Sequence, residues 1–147
     1  MINFEFHGFN NLITMNSEEV KIWISNTISE EDFQLGILNY EFLTDNELLK
    51  MNLEYLDHDT YTDIITFNSS NSENIISGEI FVSVDRVKEN SELNDQTFER
   101  ELMRVIIHGV LHLCGYGDKL EEEEILMRQK ENYYLTKYPG DVSRETN

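Results

Sequence analysis

Residues 104–118 read R-V-I-I-H-G-V-L-H-L-C-G-Y-G-D, a run with two histidines four positions apart and few other polar side chains. A helix turns by about 100° per residue, so His108 and His112 leave nearly the same face, about 6 Å apart along the axis. The residues around them are apolar on almost every side, which predicts a helix from about Asp95 to Leu113, buried at the centre of the fold.

The residues after this helix supply a third candidate metal ligand. Gly115 and Gly117 give the backbone freedom to end the helix and turn back, which brings Asp118 toward the histidine pair. Zinc binds imidazole nitrogen and carboxylate oxygen, and catalytic zinc sites leave one position open for water. We therefore predict that His108, His112 and Asp118 bind one Zn²⁺. The alternative is that both histidines are hydrogen-bonded core residues and that Asp118 is a solvated turn residue.

A zinc protease is another interpretation of paired histidines on a helix. The protease helix reads H-E-x-x-H and takes its general base from the residue after the first histidine. That residue is Gly109 in this chain. Because glycine has no side chain to accept a proton, a protease would need its base from elsewhere. A glycine inside the helix indicates the close approach of another backbone or of substrate.

Three blocks of the sequence resemble the YbeY family of bacterial endoribonucleases. H-G-V-L-H-L-C-G-Y-G-D at 108–118 is similar to the family signature H-G-x-L-H-L-x-G-Y-D-H. N-L-E-Y at 52–55 with T-D-I-I-T-F at 62–67 resembles N-x-x-Y/F-R and T-D-V-L-S-F, and G-E-I at 78–80 resembles G-D-I. The resemblance implies zinc binding and metal-dependent cleavage of single-stranded RNA in the maturation and quality control of ribosomal RNA, particularly of the small subunit.

Two departures from the family pattern bear on this function. Asp118 stands at the position of the third family histidine, and Gly117 at the position of the acid before it. A carboxylate still binds zinc, but it adds a negative charge, which makes the metal's water less acidic. The family arginine is Leu56, and His58 is the nearest candidate to replace it, although it could equally be an exposed loop residue. These changes leave open a zinc-stabilised ribosome-assembly factor that binds without cutting.

Candidate catalytic residues follow from helical spacing. Glu101 lies seven residues before His108, about 20° away in azimuth, and is the first candidate for general base or for support of a metal ligand; its alternative is a salt bridge. Asp63 and Glu79 are held in reserve. Arg104 precedes His108 by one turn and could contact a phosphate, or could pair with a nearby carboxylate.

The net charge of −18 argues against tight nucleic-acid binding. RNA affinity normally rests on cations that contact phosphates. Four cations, Arg86, Lys88, Arg100 and Arg104, lie within nineteen residues and could form a small cationic rim beside the metal. We expect weak, salt-dependent affinity for single-stranded or ribosomal RNA, with small-subunit ribosomal proteins or assembly GTPases supplying most of the docking.

Length and composition predict one α+β domain. The chain has 147 residues and 39% hydrophobic content, enough for one core, which we place at 1–138 with a loose tail at 139–147. The start lacks a secretory signal and no apolar run could span a membrane, which predicts a cytoplasmic protein. Cys114 is the single cysteine and is expected in the core, about 200° around the helix from His112.

The pattern of apolar residues predicts the order of elements. We expect four strands in a mixed sheet, packed by helices, with the zinc at one end of the central helix. The predicted strands lie at 2–6, 34–43, 62–67 and 79–84. The predicted helices lie at 17–28, after Thr44, at 85–91, at 95–113 and at 121–135.

Overall fold

The computed structural model describes residues 1–8, 13, 15–56 and 62–140. Within that part of the chain, four strands and five helices follow one another. They are β1 (Ile2–Phe6), α1 (Ser17–Glu30), β2 (Gln34–Leu43), α2 (Asp45–Leu56), β3 (Ile64–Asn68), β4 (Ile75–Ser83), α3 (Val84–Leu93), α4 (Phe98–Leu113) and α5 (Glu121–Leu135).

The strands form one mixed sheet in the order β1-β2-β4-β3. β1, β2 and β4 run parallel, and β3 pairs antiparallel with β4 at one edge, with Thr66 opposite Ile80. The predicted adjacency of the last two strands is confirmed, as are the mixed sheet and the α+β class of a single domain.

Helices cover the two faces of the sheet unequally. The main core joins α1, α3, α4 and α5 to side chains of one face, including Leu38, Tyr40 and Ile80. A smaller cluster joins α2 to the other face through Leu48 and Phe81. Because alternate strand residues point to opposite faces, this division explains why the apolar positions of β2 and β4 serve two different clusters.

The helix α4 is the central, buried helix, as its sequence predicted. The Tyr40 hydroxyl on β2 donates a hydrogen bond of 3.0 Å to the Ile106 carbonyl. A Cβ at Gly109 would lie 3.0 Å from the Cδ1 atoms of Ile64 and Ile80. The helical glycine therefore lets α4 pack closely on β3 and β4, so the close approach predicted at this glycine comes from side chains.

The predicted starts of α4 and β4 differ most from the structure, while those of α1, β3 and α3 agree to within two residues. The helix α4 begins at Phe98, capped by Thr97, whose side chain accepts a hydrogen bond from the Arg100 amide. Asp95 instead has a positive φ of 54° in the turn after α3. The strand β4 begins at Ile75, four residues early, because its first residues already pair with β2. Neither pairing nor turn geometry follows from apolar periodicity alone.

Two expectations fall outside the described residues: His58 and most of the predicted tail, at 141–147. The tail therefore stays a prediction. Among the helices that the structure describes, none is both long enough and apolar enough to cross a membrane.

Candidate metal centre and its pocket

The structure brings His108, His112 and Asp118 together at the end of α4. The Nε2 atom of His112 lies 3.2 Å from Oδ2 of Asp118, and Nε2 of His108 lies 3.3 Å from the same oxygen. One ligand atom from each residue lies within 4.8 Å of the others. Zinc binds nitrogen and oxygen at about 2.0–2.1 Å, which places two tetrahedral ligands about 3.3 Å apart. The three side chains therefore fit one metal ion.

The turn that carries Asp118 begins at Gly115. This glycine has a φ of 110°, a conformation that side chains disfavour, and it allows the Tyr116 amide to bond back to the Leu111 carbonyl at 3.1 Å. The Tyr116 hydroxyl then donates a 2.7 Å hydrogen bond to Glu31. The turn is thereby attached to the end of α1.

Glu131 on α5 contacts the metal centre from behind and was missed by the sequence analysis. Its Oε2 lies 2.6 Å from Nδ1 of His108, and its Oε1 accepts a 2.9 Å hydrogen bond from Arg104. Because Nδ1 is engaged, Nε2 of His108 faces Asp118. A carboxylate behind a metal-binding histidine is the usual means of fixing the ring orientation.

Charge pairing dominates the titration of this buried contact. Burial raises the pKa of Glu131, but hydrogen bonds from His108 and Arg104 outweigh it, so the pKa lies below its usual value. Burial lowers the pKa of His108, but the contact with Glu131 outweighs it, so this pKa is raised. The sequence signal for Glu131 was its helical spacing from the buried residues Met127 and Tyr134, which places it on the inner face of α5.

A cavity of about 280 Å³ lies beside the three candidate ligands. Glu101 and Arg104 of α4 and Arg128 of α5 line it, together with Asp63 just before β3. A wall formed by α4, α5 and the β3 edge thus combines carboxyl groups and arginines next to a candidate metal position. This is the composition of a site that could hold and cleave a phosphodiester.

Asp63 and Glu101 are the two carboxyl groups available for proton transfer. Burial raises the pKa of Asp63, while the charge of His108 opposes that rise and the charge of Asp118 adds to it. Burial also raises the pKa of Glu101, and the largest opposing charge is that of Arg104. The charges that act on Asp63 include those of the candidate ligands His108 and Asp118, together with that of Glu131.

Arg104 pairs with a carboxylate, which was the second of its two interpretations, and it also lines the cavity. Its two terminal nitrogens donate to Glu131 at 2.9 Å and to Asn132 at 2.8 Å. Glu79 lies outside the metal pocket, in a depression on the opposite face of the sheet. The role expected of His58 stays a prediction, since this residue lies outside the described part of the chain.

The structure places fewer of the four predicted cations at the metal cavity than the sequence suggested. Of these four, only Arg104 lines the metal cavity. Arg86 forms an ion pair of 2.9 Å with Asp45, the first residue of α2. The second cation at the cavity is Arg128, which the sequence analysis left unassigned.

Cys114 is half-buried at the end of α4, outside the group of candidate ligands. Burial, together with the charge of Glu31, raises the pKa of its thiol to about 12. Since the thiolate is the form that binds metals, a protonated thiol is a poor ligand at neutral pH.

Comparison with known proteins shows which family this chain belongs to. The family model described as Endoribonuclease YbeY matches residues 7–139. The chain belongs to the YbeY family. The resemblance seen in the sequence is thereby confirmed over most of the chain.

Curated relatives named Endoribonuclease YbeY come from several bacteria. The protein of Cytophaga hutchinsonii is 47% identical over 80% of this chain and 82% of its own length. That of Porphyromonas gingivalis is 40% identical over 98% of this chain and 94% of its own length. The solution structure of TM1509 from Thermotoga maritima has a TM-score of 0.68 at 28% identity, covering 94% of this chain and 89% of the other.

Two positions of this chain, Asp118 and Leu56, depart from the family pattern quoted for the sequence. Asp118 replaces the third histidine of the signature, and the structure places its carboxylate where a third ligand would lie. Leu56 carries no charge that could contact a phosphate.

Proposed function

We propose that this YbeY-family protein is a zinc-dependent endoribonuclease that cleaves single-stranded RNA during maturation and quality control of small-subunit ribosomal RNA, in the cytoplasm. The observation that carries the metal-dependent reaction is the convergence of His108, His112 and Asp118 beside a cavity lined by carboxyl groups and arginines. The RNA substrate is supported by membership of an endoribonuclease family.

The donor set of two imidazole nitrogens and one carboxylate oxygen suits zinc. When bound, the ion would polarise a phosphoryl oxygen and lower the pKa of a water molecule. The carboxylate of Asp118 reduces the net positive charge at the ion, so other divalent ions should substitute more readily than they would with three histidines.

The residues around the ion would position and transfer protons. Glu131 holds Nδ1 of His108, which leaves Nε2 on the side of Asp118, where it would bind the ion. Asp63 is placed to accept a proton from the attacking group or to return one to the leaving oxygen, with Glu101 as the second candidate. Arg104 holds Glu131 in place from the other side.

The acidic surface of the protein sets how it meets RNA. With a net charge of −18, long-range electrostatics disfavour naked RNA. Small-subunit ribosomal proteins or assembly GTPases would supply the docking, and the site itself would contact a short stretch of single strand.

A cleavage assay with a metal control tests this function. Purified protein is incubated with a structured RNA that carries single-stranded tails, with and without a chelator, and the assay is repeated with His112→Ala. His7→Ala serves as the matched control, because this histidine lies outside the metal pocket, in a separate group with Glu5 and Glu41 that could also hold an ion. We expect chelator-sensitive cleavage of the tails by the wild type and by His7→Ala, and none by His112→Ala.

Two further measurements distinguish the alternatives. Metal analysis of protein purified without added ions should give about one zinc per chain; intact RNA alongside that zinc would support the non-catalytic assembly factor instead. The product ends report the attacking group. A 5′-phosphate indicates attack by water, whereas a 2′,3′-cyclic phosphate indicates attack by the ribose hydroxyl and would contradict the hydrolytic mechanism.

A further inference from the structure

A second cavity adjoins the metal pocket along α5. It has a volume of about 600 Å³, and its lining includes Glu124, Ile125 and Gln129. The two cavities share four lining residues: His108, Asp118, Arg128 and Glu131. They therefore form one depression, the α5 cleft, with the candidate metal ligands near its middle.

Arg128 is the exposed cation of the α5 cleft. Its side chain is 63% exposed, and its contact with Glu131 is long, at 3.7 Å. The same Glu131 oxygen lies only 2.9 Å from Arg104, which already satisfies it. Arg104 is 13% exposed and uses both terminal nitrogens on protein partners. Among the described residues that line the cleft, Arg128 is thus the guanidinium with donors available to a ligand.

The charge of the cleft makes such a cation important for an anionic substrate. Carboxyl groups line both of its parts, among them Asp63, Asp118 and Glu124. A phosphodiester entering the cleft meets these acids, and a divalent ion would offset only part of their repulsion. A planar guanidinium that can form two parallel hydrogen bonds is the side chain best suited to hold a phosphate there.

We propose that Arg128 binds the RNA backbone at a phosphate next to the candidate metal ligands, and that the substrate strand extends from the metal pocket into the second cavity. This inference rests on the proposed endoribonuclease function. It also assigns a phosphate-binding cation to a chain that has Leu56 at the position of the family arginine. Arg128 lies on α5, whereas Leu56, at the position of the family arginine, lies at the end of α2.

The test compares variants that change the cleft charge in opposite directions. Cleavage of a single-stranded oligoribonucleotide is measured at several salt concentrations for Arg128→Ala, Arg128→Lys and Glu124→Gln. Lys137→Ala is the matched control, because it removes one positive charge outside both cavities. Binding of the same RNA by chelator-treated protein is followed by fluorescence anisotropy, which is independent of cleavage.

We expect Arg128→Ala to raise KM about tenfold, as for the loss of one charge-assisted phosphate contact. The magnitude of the slope of log affinity against log salt should fall by about 0.7, the value for one phosphate contact on a single strand. Arg128→Lys keeps the charge but loses the paired hydrogen bonds, so its KM should lie between those of the wild type and Arg128→Ala. Glu124→Gln should lower KM, and Lys137→Ala should match the wild type.

Other outcomes overturn the inference in distinguishable ways. If the wild type cleaves RNA and Arg128→Ala has an unchanged KM and salt slope, the proposed function stands and the role of Arg128 is wrong. If Arg128→Ala instead lowers thermal stability and zinc content, with KM unchanged, the residue only supports Glu131. If the wild type neither binds nor cuts RNA, the proposed function fails and this inference fails with it.

Discussion

At the scale of single residues, the candidate metal centre depends on a carboxylate that is not one of its three candidate ligands. Glu131 is buried, and it joins Arg104 to His108 across the interface between α4 and α5. A histidine whose Nδ1 is held in this way presents Nε2 in one fixed direction. The two bonds of Glu131 therefore connect the packing of α5 to the orientation of a candidate ligand on α4.

Replacing this carboxylate tests that connection. We expect Glu131→Gln to weaken zinc binding about 10- to 100-fold, the usual effect of losing the carboxylate behind a metal-binding histidine. Zinc affinity is measured by competition with a chromogenic chelator. Glu122→Gln, an exposed acid in the first turn of α5, is the control and should leave zinc affinity unchanged. Equal affinities for the two variants would remove Glu131 from the metal site.

A half-buried carboxylate, Glu31, predicts a pH-dependent contribution to stability. Glu31 accepts hydrogen bonds from Tyr134, Tyr116 and Lys130. Burial raises its pKa, but these donors outweigh burial, so the pKa lies below the ordinary value of 4.5. A lowered folded pKa means that the ionised group stabilises the fold above pH 4.5, and that this stability is lost as pH falls through the folded pKa.

We therefore expect Glu31→Gln to reduce the free energy of unfolding at pH 7 by about 1–3 kcal/mol, the range for hydrogen bonds to a charged group. The difference from wild type should shrink when urea unfolding is repeated near pH 4. A difference of the same size at both pH values would contradict the lowered pKa of Glu31, because its contribution to stability would then not depend on ionisation. Zinc content of the variant reports whether the Asp118 turn moves with its anchor at Tyr116.

At the scale of elements, the close packing of α4 on the sheet places the candidate site. Gly109 has no side chain between α4 and the isoleucines of β3 and β4, so the helix lies close to the strands. This brings His108 to the cavity beside Asp63. A helix held further out would separate the histidines from the β3 edge.

The substitution Gly109→Ala tests this packing. The new Cβ would lie 3.0 Å from the Cδ1 atoms of Ile64 and Ile80, and such overpacking costs about 1–3 kcal/mol, against about 1 kcal/mol gained from helix propensity. We expect a net loss of about 1 kcal/mol in urea unfolding. The double variant with Ile64→Val, which removes one contacting methyl group, should recover part of the loss. If the double variant instead lost the sum of the unfolding free energies lost by the two single variants, the close contact would be contradicted.

At the scale of the whole molecule, net charge governs how the protein reaches RNA. A chain with 29 acidic and 11 basic side chains repels a polyanion, and only the α5 cleft offers an exposed arginine beside the candidate metal ligands among the described residues. Binding to naked RNA should then be weak, and substrate should be captured through other contacts.

We expect small-subunit particles to be cleaved at least about tenfold more efficiently than naked small-subunit RNA at the same ionic strength, since docking proteins replace the missing electrostatic attraction. The rates of cleavage of the two substrates are compared at 50 and at 200 mM salt, about the range over which phosphate contacts weaken. Tight binding of naked RNA at the higher salt would contradict the electrostatic argument.

The sequence by itself determined the features that depend on neighbours along the chain. Helical and strand periodicity act within one element. For this reason the sequence predicted correctly the shared helix face of His108 and His112, the turn to Asp118, and the bounds of β2 and α5. The same signature gave the family, and the apolar run gave the central helix.

Only the tertiary structure decided which side chains from different elements meet. It joined Glu131 to His108, placed Asp63 inside the metal pocket and Glu79 on the opposite face of the sheet, and turned Arg128 into the cleft. These contacts depend on strand register and on the packing of α4 and α5 against the sheet. Since side chains far apart in sequence meet only after the core has formed, no local pattern could have paired them.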